Sequence, residues 1–84
     1  MDKELYIGVD VSKQTLDLAY YDGESIDWKK AHIKVSNNNA GFKKIGSWVA
    51  KVSNGFDIVL FCMEYTGLYT QNFRLWLEEK HYIY

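Results

Sequence analysis

Eighty-four residues make one small domain. A composition of 48% hydrophobic, 17% aromatic and 25% charged residues excludes a disordered chain, and a net charge of −1 argues against a free-standing nucleic-acid binder that works through bulk basicity. The lone Cys62 excludes an internal disulfide and a cysteine-based zinc cluster, and the longest apolar run, residues 58–63, is far too short to cross a membrane.

The chain opens on MDKELYIG, charged residues leading straight into a strand, with no secretory signal pattern. With the unpaired cysteine, this gives a cytoplasmic expectation. Residues 5–11 alternate and are rich in β-branched side chains. Leu5, Ile7, Val9 and Val11 take one face; Tyr6, Gly8 and Asp10 take the other. Both rows are largely apolar before Asp10, which predicts a central strand covered on two sides. Gly8 weakens a strand, so its presence predicts a close approach to the backbone there.

Ser12, Lys13 and Gln14 form a short polar turn, and residues 15–21 alternate again, so the two strands form an antiparallel hairpin. Asp22-Gly23-Glu24 is the next turn signal. A third strand is expected over 25–36, with a bulge where the alternation slips at Lys29, Lys30 and Ala31. The lysines of this middle region (Lys29, Lys30, Lys34, Lys43 and Lys44) read as a solvated face.

Three asparagines, Asn37 to Asn39, supply an N-cap. Phe42, Ile45, Val49 and Val52 then recur at helical spacing over 40–52, with Trp48 widening the stripe and Gly55 placed to cap the end. Residues 57–64 are a nearly unbroken apolar run between two acids and read as a buried parallel strand. Tyr65, Thr66 and Gly67 turn the chain, with Thr66 as a cap. A second helix is expected over 68–80, with Tyr69, Phe73, Trp76 and Leu77 on one face. Residues 81–84 begin another strand.

The predicted order is β-β-β-α-β-α-β, a mixed sheet with helices on its faces. A right-handed crossover puts the fourth strand beside the first and gives the spatial order 3-2-1-4-5. Residues 1–84 are read as one unit, without repeat or linker.

In this topology the first and fourth strands are parallel neighbours, and each ends in an acid: Asp10 and Glu64. Two carboxylates side by side repel unless a proton or cation lies between them. A hard divalent ion is satisfied by one or two carboxylates plus water and phosphate oxygens, and a pair of such ions serves an in-line phosphoryl displacement. The plainer reading is that strand-end acids are surface residues. It is the better account of either acid alone and about an even match for the two together.

Weaker candidates are Ser12 and Lys13, placed to touch a phosphate, and Thr66. For each, turn formation and capping suffice. Asp17 could pair with Lys13 or support the site. Tyr65 and Tyr69 could stack on bases, although core or rim packing is the commoner role. His32 and His81 have no partner at ligand spacing and read as ordinary histidines, and Cys62 reads as inert within an apolar strand.

YIGVDVSKQTLDLAYYD, an asparagine-rich lead into the first helix, and MEYTGLYTQNFRLWLEEKHYIY together resemble the N-terminal domain of DEDD-type transposases of bacterial insertion sequences. These are the relatives of the Piv DNA invertase and of the bridge-RNA-guided recombinases. Members read G-hydrophobic-D-V-S-K-x-x-L-D near the start and E-x-T-G-x-Y some fifty residues later; both are present, in order, and the likeness spans the whole chain. It implies an RNase H-like (RuvC-like) α/β fold, cut short here, and Mg²⁺- or Mn²⁺-dependent DNA cleavage and strand transfer in the bacterial cytoplasm. It also implies DNA as partner, with a guide RNA in some members. Asp10 matches the first acid of the set of four and Glu64 the second. The other two, and a C-terminal domain with a serine implicated in strand transfer, lie beyond Tyr84 in the family's pattern. The expectation is a fragment of such a transposase, inactive alone, exposing apolar surface and self-associating through a sheet edge or uncovered face.

Two other readings stand beside it. An actin-like or sugar-kinase-like ATP-binding half-domain has the same sheet order and an Asp at the first strand's end. Its hairpin usually carries a glycine after that Asp, and Val11-Ser12-Lys13-Gln14 has none. A non-catalytic interaction module would use the sheet edge.

Overall fold

The computed structural model describes residues 3–21, 32–63 and 67–84. Strand β1 (Glu4–Val11) and strand β2 (Thr15–Tyr21) form the expected hairpin. Strand β3 (His32–Ser36) pairs antiparallel with β2. Helix α1 (Asn39–Val52) crosses to strand β4 (Ile58–Cys62), which runs parallel to β1. A 3₁₀ turn (Leu68–Thr70) leads into helix α2 (Gln71–Glu79). The result is a small mixed α/β domain with a four-stranded sheet in the order β3-β2-β1-β4. Beyond β4 the expected fifth strand is present as a single parallel bridge, Leu60 with Ile83. The expected turn at residues 22–24 and the first part of the third strand, residues 25–31, lie outside the described residues.

The helices form where the sequence patterns require them. Asn38 caps α1, its side-chain oxygen accepting the Gly41 N–H at 3.0 Å. Phe42, Ile45 and Val49 of α1 are buried together with Phe73 and Leu77 of α2. Past the end of α1, Gly55 takes φ 89°, a left-handed conformation open to glycine at no steric cost. At the end of α2 the His81 N–H bonds the Glu78 carbonyl and the Tyr82 N–H bonds the Leu77 carbonyl. This is a Schellman motif whose left-handed position, φ 61°, is filled by His81.

One core joins sheet and helices. Leu5, Ile7, Leu16, Leu18, Val35 and Phe61 project from one face of the sheet onto both helices. Phe73 stacks on Trp76 and meets Phe61 edge-on, with ring centroids 5.9 Å and 6.2 Å apart. Gly41 brings α1 against β3 so closely that a Cβ there would lie 1.7 Å from the Ser36 carbonyl oxygen.

The opposite face corrects the expectation of a strand covered on both sides. Glu4, Tyr6, Gly8 and Asp10 of β1 are all exposed. So is Cys62, expected within a buried run, while Ile58, Val59 and Leu60 are only partly covered. Among the described residues both helices pack on the same face, and the other stays open. Its apolar residues are large enough to mimic a second core in the alternation pattern.

Candidate functional site

The register of the sheet arranges the open face in cross-strand rows. Leu60, Tyr6 and Tyr21 form one; Cys62, Gly8, Ala19 and His32 form the next; Asp10, Asp17 and Lys34 form the third. The second row is nearly bare in the middle, because Gly8 and Ala19 present at most a methyl group. A cleft of about 630 Å³ opens over this bare stretch. Asp10, Asp17 and His32 line it, and Tyr69 and Thr70 bound it from the 3₁₀ turn.

Asp10 sits near the C-terminal end of the central strand, directly opposite Asp17 of β2. Like charges facing each other across a pair of strands are mutually destabilising. Asp10 makes no side-chain hydrogen bond or ion pair among the described residues. Asp17 accepts a hydrogen bond from His32, with Nε2 3.2 Å from Oδ1. Both partners are more than a third exposed, so the ion pair itself contributes little to stability. Its consequence is orientation: a carboxylate can only accept, so the proton on this side of the ring is on Nε2.

The hairpin tip is held by its own hydroxyls. Ser12 Oγ accepts the Thr15 N–H at 3.1 Å and lies 2.8 Å from Thr15 Oγ1. Asn37 fastens this tip to the far rim. Its side-chain amide donates to the Ser12 carbonyl at 2.9 Å and to the Tyr69 carbonyl at 3.0 Å, and its backbone N–H donates to the Gln14 carbonyl. Thr70, almost fully buried, donates its hydroxyl to the Gly67 carbonyl at 2.7 Å and closes the 3₁₀ turn.

The residues expected from sequence therefore divide. Asp10 lines the cleft. Glu64, Tyr65 and Thr66 lie outside the described residues; β4 is in register with β1 up to the pair Gly8–Cys62. The Ser12 hydroxyl is engaged in the turn. Lys13 is exposed at the tip, and the pairing considered between it and Asp17 is not formed: the ion pair of Asp17 is with His32. Tyr69 is not on the buried face of a helix. It stands 47% exposed on the 3₁₀ turn that precedes α2. His32 was read from sequence as an ordinary histidine and Asn37 as part of a helix cap, so neither contact was foreseen. Asn37 hides among three asparagines, only one of which caps the helix.

Among the described residues, no group of three or more His, Cys, Asp or Glu side chains is placed to hold a metal ion. What they offer a cation is one unengaged carboxylate with a second opposite it, hard oxygen donors of the kind Mg²⁺ and Mn²⁺ accept. Further ligands would come from water or substrate, or from residues outside those described. No helix of the described residues is long and apolar enough to cross a membrane. No protein-family model matches the chain, and no curated protein matches it.

Proposed function

We propose that this domain is the N-terminal part of an RNase H-like (RuvC-like) catalytic domain of a DEDD-type transposase, acting on DNA phosphodiesters with Mg²⁺ or Mn²⁺. The observation that carries the reading is the parallel pairing of β1 with β4. Gly8 is paired with Cys62, and in sequence Asp10 follows Gly8 by two residues just as Glu64 follows Cys62. The first motif thus runs along β1, and the second starts two residues beyond Cys62 in sequence, after the last residue of the neighbouring strand. The sheet order of the four strands agrees with that fold.

In this reading Asp10 and Glu64 hold the metal, and the family's two further aspartates complete the set. The ion would supply charge stabilisation to the attacking and leaving oxygens. The chain's own contribution is to fix one carboxylate at the end of a central strand, over an open floor that a DNA strand can approach. DNA is the partner of the complete enzyme, with a guide RNA in the RNA-guided branch, and the setting is a bacterial cytoplasm.

The test is titration of the protein with Mn²⁺ or Mg²⁺, comparing wild type with Asp10→Asn by NMR line broadening or calorimetry. Weak binding that the variant loses supports the metal site; equal behaviour of the two sinks it. The open face favours a second reading, an interaction module, because Tyr6 and Tyr21 are exposed there at 37% and 43%. Self-association that survives Asp10→Asn, without metal binding in either protein, supports that alternative.

A further inference from the structure

We infer that Asn54 is a site of covalent self-modification. In the folded protein the Gly55 backbone nitrogen attacks the Asn54 side-chain amide, leaving aspartate or isoaspartate in the turn between α1 and β4. The inference is independent of the DNA-processing reading given above.

The sequence supplies the pair and the fold leaves it open. Of the five asparagines, only Asn54 is followed by glycine, so no Cβ crowds the attacking nitrogen. Both residues are exposed. The turn is closed by one hydrogen bond, from the Phe56 N–H to the Ser53 carbonyl at 2.9 Å, which spans the pair without engaging it. Neither the Gly55 N–H nor the Asn54 side chain makes a hydrogen bond among the described residues. Gly55 takes φ 89°, and a Cβ built on it would meet nothing within 4 Å, so the reacting groups have room to turn towards each other. The other asparagines are held. The Asn37 amide donates to two carbonyls, and the Asn38 side chain caps α1. Asn39 and Asn72 lie within α1 and α2, where the backbone is fixed in helical geometry.

The step needs water alone as co-reactant. The Gly55 nitrogen gives up its proton and attacks Asn54 Cγ. The new C–N bond closes a five-membered succinimide, the bond from Cγ to the side-chain nitrogen breaks, and that nitrogen leaves with the proton as ammonia. Water then opens the ring. Attack at Cγ gives aspartate; attack at the main-chain carbonyl gives isoaspartate, whose backbone runs through the side chain and is one carbon longer.

Either product places a carboxylate just past the C-terminal end of α1, where the helix dipole disfavours negative charge. It also lies three residues before Asp57. The Asp57 carboxylate accepts the Lys3 N–H at 2.9 Å, and the Asp57 N–H donates to the Lys3 carbonyl at 2.9 Å, immediately before the first β1–β4 pair, Glu4 with Ile58. The modified chain is therefore less stable, and isoaspartate disturbs the entry to β4 more than aspartate does.

The experiment incubates the folded protein in mildly alkaline buffer beside a sample unfolded in urea, and reads every asparagine by peptide mass spectrometry. In the folded sample Asn54 should gain the single mass unit that separates an acid from an amide and resolve into two chromatographic species. The other four asparagines should keep their amides. Asn54→Gln should show no gain at this position. The incubated wild type should melt at a lower temperature than fresh protein, and Asn54→Asp, which carries the charge without the longer backbone, should fall between them. An Asn54 amide that persists in the folded sample while the unfolded sample loses it would show that the turn protects the pair, and would overturn the inference. Loss at the other asparagines as fast as at Asn54 would overturn it equally. Unchanged melting of fully modified protein would overturn the structural consequence.

Discussion

Asp10 and Asp17 face each other directly across β1 and β2 on the uncovered side of the sheet. Only Asp17 has a side-chain hydrogen-bond partner among the described residues, the His32 imidazole. The pair is therefore unequal: the Asp17 carboxylate is engaged, and the Asp10 carboxylate makes no side-chain hydrogen bond among the described residues. Asp10→Asn removes the repulsion and should stabilise the fold by up to about 1 kcal/mol in the absence of divalent ions. Adding Mg²⁺ should stabilise the wild type and leave the variant unchanged. Thermal unfolding of both proteins with and without Mg²⁺ measures this, and a variant that responds to Mg²⁺ as the wild type does would contradict it.

The contact between α1 and β3 gives a sharper stability prediction. Gly41→Ala forces a methyl group into the Ser36 carbonyl, and the backbone of α1 must shift. A cost of about 3 kcal/mol is expected, the upper end for overpacking. For an 84-residue domain this is a large share of the total stability. Gly46→Ala, in the same helix, meets Trp76 at 3.7 Å, an ordinary contact. It should stabilise by about 0.5–1 kcal/mol through helix propensity alone. Urea denaturation of the two variants should move in opposite directions.

Asn37→Ala removes both side-chain hydrogen bonds that join the hairpin tip to the 3₁₀ turn. The expected cost is about 1–2 kcal/mol. The distinguishing signature is local. Amide exchange should quicken around Ser12 to Thr15 and Gly67 to Thr70 more than in the core of α1. Uniform loss of protection would mean that Asn37 acts only through global stability.

Tyr6 and Tyr84 should ionise above the ordinary range for a tyrosine. The Tyr6 phenol donates to Glu4 and the Tyr84 phenol to Glu78, and these bonds raise both above the ordinary value of 10.0. At Tyr84 the nearby Arg74 works in the opposite direction. The bonds favour the protonated phenols of the folded state. Their contribution is therefore fully present below pH 10.0 and is lost as pH rises through the higher folded-state values. Absorbance titration at alkaline pH should show Glu4→Gln returning one tyrosine towards the ordinary range.

The order and type of the elements were legible because each carries its own period. Alternation marks β1 and β2, the Phe42, Ile45 and Val49 spacing marks α1, and the apolar run marks β4. The one-sided sheet was not legible. Tyr6 and Leu60 are apolar whether or not anything covers them, so a pattern of side-chain types cannot distinguish a second core from an open face. Asp10 could be placed from the end of its strand. Its partner could have been found by counting back from a tip closed between Ser12 and Thr15, which pairs Asp10 with Asp17. The Asp17–His32 contact could not, because it depends on a β2–β3 register set across a long connection. Tyr69 was assigned to a helix face because a 3₁₀ turn has no periodic signature of its own.

The double attachment of Asn37 has a consequence for how a ligand meets this surface. The hairpin tip beyond Asp10 and the turn carrying Tyr69 hang from one side chain, so the two banks of the cleft cannot drift apart independently. The width a ligand meets is set during folding, and the entropy of fixing that width is lost before any encounter. A change at Asn37 would leave every cleft-lining group in place chemically and still alter affinity, by returning that ordering cost to the binding step.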